Sequence, residues 1–263
     1  MTTPGVPVTV VIAAKNEAAN IVACIDSIRW ADEIIVVEDA STDGTADLAM
    51  QAGARVLQQP FTTIGLQRNA AIECASHDWI LVVDADERGT PALAAEVRGI
   101  VTDTAGAPPL RSYRIPRRNY FLGREIRHGG WDRDKPVRLF KSIFRYSSSR
   151  VHESAETQGP VGEMQAALLH APYATIDQYF EKLDRYSQWW AEDRFERGRR
   201  VGAGTVVVRP PLRFLSMYLL KGGFLDGAQG AVLACLAATS VMAKYARLWG
   251  MTRQREPSLR DEK

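Results

Sequence analysis

The 263-residue chain contains only three cysteines, Cys24, Cys74 and Cys235, far apart in sequence and without a C-x-x-C pair. That argues against a disulfide framework or a cysteine zinc site and fits reduced thiols in a cytosolic compartment. No G-x-G-x-x-G follows the first apolar run. The loop there reads AAKNEAAN, which weighs against a dinucleotide-binding dehydrogenase. The N-terminus lacks a basic stretch followed by an apolar one, so no signal peptide is expected. The uncharged run at 227–243 has 17 residues, short of the roughly 20 needed to span a bilayer. Residues 151–180 hold no Lys or Arg, and no internal repeat or low-complexity tract is visible.

What the chain does have is an apolar content of 46% and a charged content of 24%, ordinary for a soluble globular protein of one large domain or a domain with an appendage. Its charge is unevenly placed. Lys and Arg against Asp and Glu give a net −9 over 1–110, +9 over 111–150, −4 over 151–180 and +6 over 181–263. Such a layout suggests a cation site facing a site for anions. VTVVIAA (8–14), EIIVVE (33–38), ARVLQQ (54–59) and WILVV (79–83) read as strands. Helices are expected over 17–30, from STDGT through Ala52, over 65–76, and from Pro91 to about Val101. The alternation argues a parallel sheet covered on both faces. From 111 it becomes irregular, with SYRIP, VRLFKS and LLHAP as shorter strands of a mixed sheet. Residues 175–198 return to helix, with Tyr179, Leu183, Tyr186 and Trp190 on one face. Pro210–Pro211 are expected to break the chain before two further apolar helices.

Acids fall at strand ends: Glu17 after the first, Glu38–Asp39 after the second, and Asp84–Ala85–Asp86 after the fourth. In open α/β sheets ligands bind beyond these carboxyl ends. A D-x-D pair on such a loop can hold a hard divalent cation and leave positions open for substrate phosphates. D-x-D alone is weak; three acidic strand ends together are far less expected by chance. VVIAAKNEAANI, IIVVEDASTDGT and GLQRNAAIECASHDWILVVDADE together resemble the nucleotide-binding half of the family 2 glycosyltransferases. RIPRRNYFLGREIRHGGW, VRLF, VHE, GFLDG and KYARLW extend the resemblance to the bacterial lipopolysaccharide-core β-1,4-glucosyltransferase subgroup. Glu38 departs from the small residue frequent in relatives.

The resemblance implies a single Rossmann-like nucleotide-binding domain of the GT-A type, with a mixed central sheet and a helical C-terminal appendage. Residues 1–110 would be its nucleotide-sugar-binding half, 111–174 its acceptor-binding half and 175–263 the appendage. It implies an inverting hexosyltransferase that uses Mg²⁺ or Mn²⁺ and a UDP-hexose donor, UDP-glucose first. Asp39 would recognise the base, Glu17 line the nucleoside pocket, Asp84 contact the ribose, Asp86 hold the metal and Arg68 approach the diphosphate. Glu87 reads as a helix-opening residue favoured by the macrodipole.

Inverting transfer needs a base for the acceptor hydroxyl. Glu153, in a segment without cations, is favoured over Asp132, which has Arg133, Asp134 and Lys135 beside it. His128, with Gly129–Gly130, is a candidate for the donor sugar or diphosphate, and His152 or His170 for a further metal ligand. Twelve Lys and Arg in 111–150 come with no nucleic-acid-binding motif, so a phosphorylated or lipid-linked envelope glycan explains them as well. Residues 212–249 suit contact with an anionic surface, placing the protein peripherally on the inner face of the cytoplasmic membrane. Two rivals stand beside this reading. A haloacid-dehalogenase-type phosphatase would put its D-x-D on the first strand, with Thr or Val where Arg88 stands, and this chain does neither. A non-catalytic nucleotide-sugar-binding scaffold would keep the same acids, and turnover separates the two.

Overall fold

The computed structural model describes residues 5–60, 62–103, 110–148, 154–173 and 175–254. They divide into two compact units: the described residues of 1–119 and 133–172, and those of 120–132 and 173–263. Segment 120–132, grouped by sequence with the sheet, thus packs with the C-terminal helices.

The first unit is built from alternating strands and helices: β1 (Val6–Ala14), α1 (Ala18–Ser27), β2 (Ala31–Glu38), α2 (Thr45–Gln51), β3 (Arg55–Gln58), α3 (Ile64–Glu73) and β4 (Trp79–Val82). There follow in the chain β5 (Glu87–Arg88), α4 (Pro91–Thr102), β6 (Ser112–Arg114), β7 (Arg117–Phe121), β8 (Arg124–Ile126, in the second unit), β9 (Val137–Lys141), β10 (Arg145–Tyr146), β11 (Ala155–Glu156), β12 (Gly162–Glu163) and β13 (Leu168–His170). Seven strands form one mixed sheet in the order β12-β6-β9-β4-β1-β2-β3. Strands β1 to β4 run parallel, and β9 enters antiparallel beside β4. Within β1, Val10 and Ile12 pack with Ile21 and Ile25 of α1 and Leu93 and Val97 of α4. Val11, between them, belongs to the opposite face with Ala71 and Ile72 of α3 and Phe140. That period of two is why nearly all-apolar strands require helices on both sides.

A smaller sheet sets β13 antiparallel to β5 and parallel to β7. Strand β7 runs on into the second unit, where its end pairs with β8 across a turn at Leu122 and Gly123. Their φ values, 46° and 78°, are those of a two-residue primed hairpin turn.

In the second unit, α5 (Ile176–Glu196), α6 (Ala203–Leu215) and α7 (Gly227–Gln254) pack together, joined by a π-helical turn (Ser216–Leu220) and a 3-10 turn (Gly223–Asp226). The core gathers Phe121 and Ile126 of the hairpin with Met217, Leu233 and Ala234. Gly230 is required there, because a Cβ would lie 1.9 Å from the Gly223 carbonyl oxygen. Two expectations are corrected. Pro210 and Pro211 lie inside α6 rather than ending it. Each removes one i→i−4 bond and costs about 3 kcal/mol, and packing of α6 along α7 outweighs that cost. On α5, Tyr186 is exposed; Tyr179, Ser187 and Ala191 are its buried residues, and Trp190 packs edge-on to Tyr245 of α7.

Candidate active site

The register of the parallel strands brings the acids together. Ala14 lies beside Glu38, Val11 beside Val82, and Val83 N–H donates to Val11 O at 3.0 Å. The loops after β1, β2 and β4 therefore leave one edge of the sheet side by side. The first two are fastened to each other. Asn16, at φ 55°, takes its N–H to Ser41 Oγ (2.9 Å), and its Oδ1 accepts from Thr42 N–H (3.0 Å). Glu17 N–H donates to Thr45 Oγ1, and Ala18 N–H to Asp43, both at 2.9 Å. Buried Glu38 closes its own turn by accepting from Ser41 N–H. Asp39, also buried, accepts from Lys15 Nζ at 2.6 Å, and the Glu17 carboxylate accepts from Asn20 at 2.8 Å.

The third loop explains why an apolar strand runs into three carboxylates. Asp84 Oδ1 accepts from Arg68 at 2.6 Å, and its Oδ2 accepts from Arg117 at 2.8 Å and from Arg138. Glu87, fully buried, accepts from Arg117 Nε at 2.5 Å and from the Asp84 N–H at 2.8 Å. Arg117 also reaches Asp134 at 3.1 Å, so three guanidiniums meet three carboxylates. Burial alone would raise the Asp84 carboxyl. The charges of Arg138, Arg68 and Arg117 outweigh it and hold the group well below the usual carboxylate range. Burial pushes Glu87 up, and neighbouring Asp84 adds to that. Glu87 is accordingly not a helix-opening residue. Thr90 caps α4 instead, accepting from Leu93 N–H at 3.1 Å ahead of Pro91. Arg68 is buried against Asp84, with its guanidinium carbon 5.0 Å from the Tyr146 ring centroid. Arg138 had a signal in the sequence: it is the lone cation inside the apolar run VRLF. Arg117 read only as one member of a basic cluster.

To Asp86, the second acid of D-x-D, β13 brings a histidine. His170 pairs with Glu87 in the β5–β13 ladder, and Ala171 N–H donates to Asp86 O at 3.0 Å. The His170 Nδ1 lies 2.6 Å from Asn119 Oδ1, so Nδ1 carries the proton and Nε2 the lone pair. Nε2 is 3.6 Å from Asp86 Oδ1, too long for a hydrogen bond. Burial lowers the His170 pKa, and Arg117 adds to that against the pull of Asp86, which favours the neutral, ligating form. A carboxylate and a neutral imidazole supported by Asn119 fit a divalent cation such as Mn²⁺ or Mg²⁺. Among the described residues no group of three or more His, Cys, Asp or Glu is placed to hold a metal. Two such ligands would leave the remaining positions of an ion to phosphate and water.

Of the other expected residues, His128 and Asp132 belong to the second unit. Gly129 and Gly130, at φ 70° and 91°, fold the HGGW segment back so that Gly129 N–H reaches Lys221 O at 2.9 Å. Asp226, buried at the end of GFLDG, accepts from the N–H groups of Arg127 (3.2 Å) and His128 (2.9 Å) and holds His128 Nδ1 at 3.0 Å. Sequence reasoning gave Asp226 no role, although it is the one acid between Lys221 and Lys244. Asp132 is exposed. Glu153 and His152 lie outside the described residues.

The sequence profile described as Glycosyl transferase family 2 matches residues 9–151, more than half of the chain. This protein belongs to that family. It is a glycosyltransferase, and the sheet just described is the GT-A type expected of one. Lipopolysaccharide core biosynthesis glycosyltransferase LpsC of Rhizobium meliloti (strain 1021) is 30% identical to it over 258 residues, 92% of this chain and 94% of that one. An uncharacterized glycosyltransferase of Rickettsia prowazekii (strain Madrid E) is 26% identical over 262 residues, 95% of this family member and 87% of the relative. Among solved structures, glucosyl-3-phosphoglycerate synthase from Mycobacterium tuberculosis, in complex with Mn²⁺, UDP and glucosyl-3-phosphoglycerate, is similar at 25% identity and a TM-score of 0.36. That likeness covers 42% of this glycosyltransferase and 44% of the synthase.

Proposed function

We propose that this glycosyltransferase moves a hexose, glucose first, from a UDP-linked donor to a lipid-linked or phosphorylated envelope glycan, with inversion at the anomeric carbon. The name of the Rhizobium relative supports a lipopolysaccharide-core acceptor, at the cytoplasmic face of the membrane. The observation that carries the donor reading is Asp86 facing His170 at 3.6 Å, on the edge where the loops of Glu17 and Asp39 emerge. Asp86 and His170 would hold the Mg²⁺ or Mn²⁺, and the ion would offset the charge growing on the departing diphosphate. Asp39 and Glu17 take the nucleoside. Asp84, expected at the ribose, and Arg68, expected at the diphosphate, pair with each other at 2.6 Å, and we read both as acting through the loop from which Asp86 projects. Glu153 removes the acceptor proton, with Asp132 as the alternative base, and His128 meets the donor sugar or phosphate.

A screen of nucleotide sugars by thermal shift, with and without Mn²⁺, tests the donor class. UDP-glucose should stabilise the protein only with metal, and Asp39→Ala should weaken UDP and uridine alike because the contact is to the nucleoside. A loss confined to the sugar diphosphate would place Asp39 elsewhere. A second measurement addresses the base. Glu153→Gln keeps the shape but cannot take the proton, so kcat should fall by about 10²–10⁴ with donor affinity nearly unchanged. If Asp132→Asn gives that pattern and Glu153→Gln does not, the two roles exchange.

A further inference from the structure

Along α6 runs an apolar ridge that the second unit itself leaves uncovered. Val208, Leu212, Leu215 and Leu219, exposed by 44% to 57%, follow at steps of four, three and four, which sets them along one side of α6 and the π turn. Leu220, 84% exposed, and Leu225 continue the ridge, and α6 has no fully buried residue. The charge along this segment of the chain is of one sign. Residues 197–225 contain six Lys and Arg and no Asp or Glu, and all six cations are exposed.

A second copy of the chain is a poor occupant, since a twofold contact would face these cations with themselves. An anionic lipid surface answers both features at once. We infer that α6 and the turn after it lie in the plane of an anionic leaflet, with the leucine ridge below the headgroups and the cations among the phosphates. The longer helix α7 is a different matter. Gly223–Arg253 is long and apolar enough to cross a membrane, yet α7 is tied to α5 along its length. Tyr179 donates its hydroxyl to Leu236 O at 2.8 Å, Trp190 packs on Tyr245, and Arg247 pairs with Asp184. The contact surface is thereby narrowed from 212–249 to about the segment 207–225. This deepens the membrane part of the proposed function and rests on that part alone.

Co-sedimentation of the full chain with phosphatidylethanolamine vesicles, with and without phosphatidylglycerol, tests it, with UDP binding measured on the same samples. Binding should need phosphatidylglycerol and weaken with salt, while a part due to the ridge resists salt. Leu212→Asp with Leu219→Asp should lower vesicle affinity roughly tenfold or more and leave UDP binding and the melting temperature unchanged. Arg199→Glu with Arg213→Glu, both away from the packed core, should remove the salt-sensitive part and covers the case in which the leucine variant misfolds. Vesicle binding equal to wild type in both pairs of variants, or none to phosphatidylglycerol at low salt, overturns the inference. So does a dimer that Leu212→Asp dissociates, or protein in cell membranes that carbonate cannot extract, which would mean a spanning helix. Loss of UDP binding in the wild-type protein would count against the donor reading and leave this one standing.

Discussion

Asp86→Asn should abolish sugar transfer while the protein stays folded. The carboxylate faces His170 at 3.6 Å, and a metal's charge stabilisation is worth several kcal/mol, or about 10³-fold or more in kcat/KM. The fold should survive because the loop is held by backbone and neighbours: Asp86 O accepts from Ala171 N–H whatever the side chain. His170→Ala should act in the same direction. Asn119→Ala, which leaves the imidazole but loosens its tautomer, should cost about 10–100-fold in metal affinity. Steady-state kinetics with Mn²⁺ as the varied component separates these cases. Wild-type activity in Asp86→Asn would remove the residue from the mechanism.

Asp84→Asn, two residues away, should behave in the opposite manner and damage the fold. Taking one anion from a buried network removes the carboxylate that Arg68 pairs with and leaves Arg117 and Arg138 to Glu87 and Asp134, and breaking such a buried pair costs about 3–5 kcal/mol. In a chain of this size the melting temperature should fall by about 10 °C. The linkage has a definite sign. The folded-state pKa of Asp84 lies below its unfolded value, so its contribution is complete above the unfolded pKa. It is lost progressively as pH falls from the unfolded value toward the depressed folded one, and is gone below it. Thermal unfolding of both variants decides the matter. An Asp84→Asn protein as stable as wild type, weakened only toward UDP, would make Asp84 a nucleotide ligand rather than the anchor of its loop.

The two aspartates of one D-x-D thus differ in a way their spacing could not reveal. Periodicity placed β1, β2, β4 and α1 within a few residues because those segments carry their pattern locally, apolar at period two or at helical spacing. The partners of Asp84 are long-range. Arg117 and Arg138 lie 33 and 54 residues away, and only the β4–β9 and β13–β7 pairings bring their strands to it. His170 was visible as a possible ligand, but the register that sets it against Asp86 depends on the two-residue strand β5, too short to leave a pattern. Pro210–Pro211 misled for a related reason. Local chemistry says break, whereas packing on α7, a tertiary effect, keeps the helix. Glu87 read as a helix-opening residue because acids favour a helix N-terminus; its burial follows from the arginines around it.

Pulsed electron paramagnetic resonance of the protein with Mn²⁺ and UDP tests the central claim most directly, because it reads the metal's neighbours without requiring the acceptor. The account predicts ¹⁴N modulation from His170 together with ³¹P coupling from the diphosphate. The nitrogen signal should vanish in His170→Ala, and tight Mn²⁺ binding should be lost in Asp86→Asn. Mn²⁺ bound with UDP but without nitrogen coupling, or bound equally well by Asp86→Asn, would contradict it.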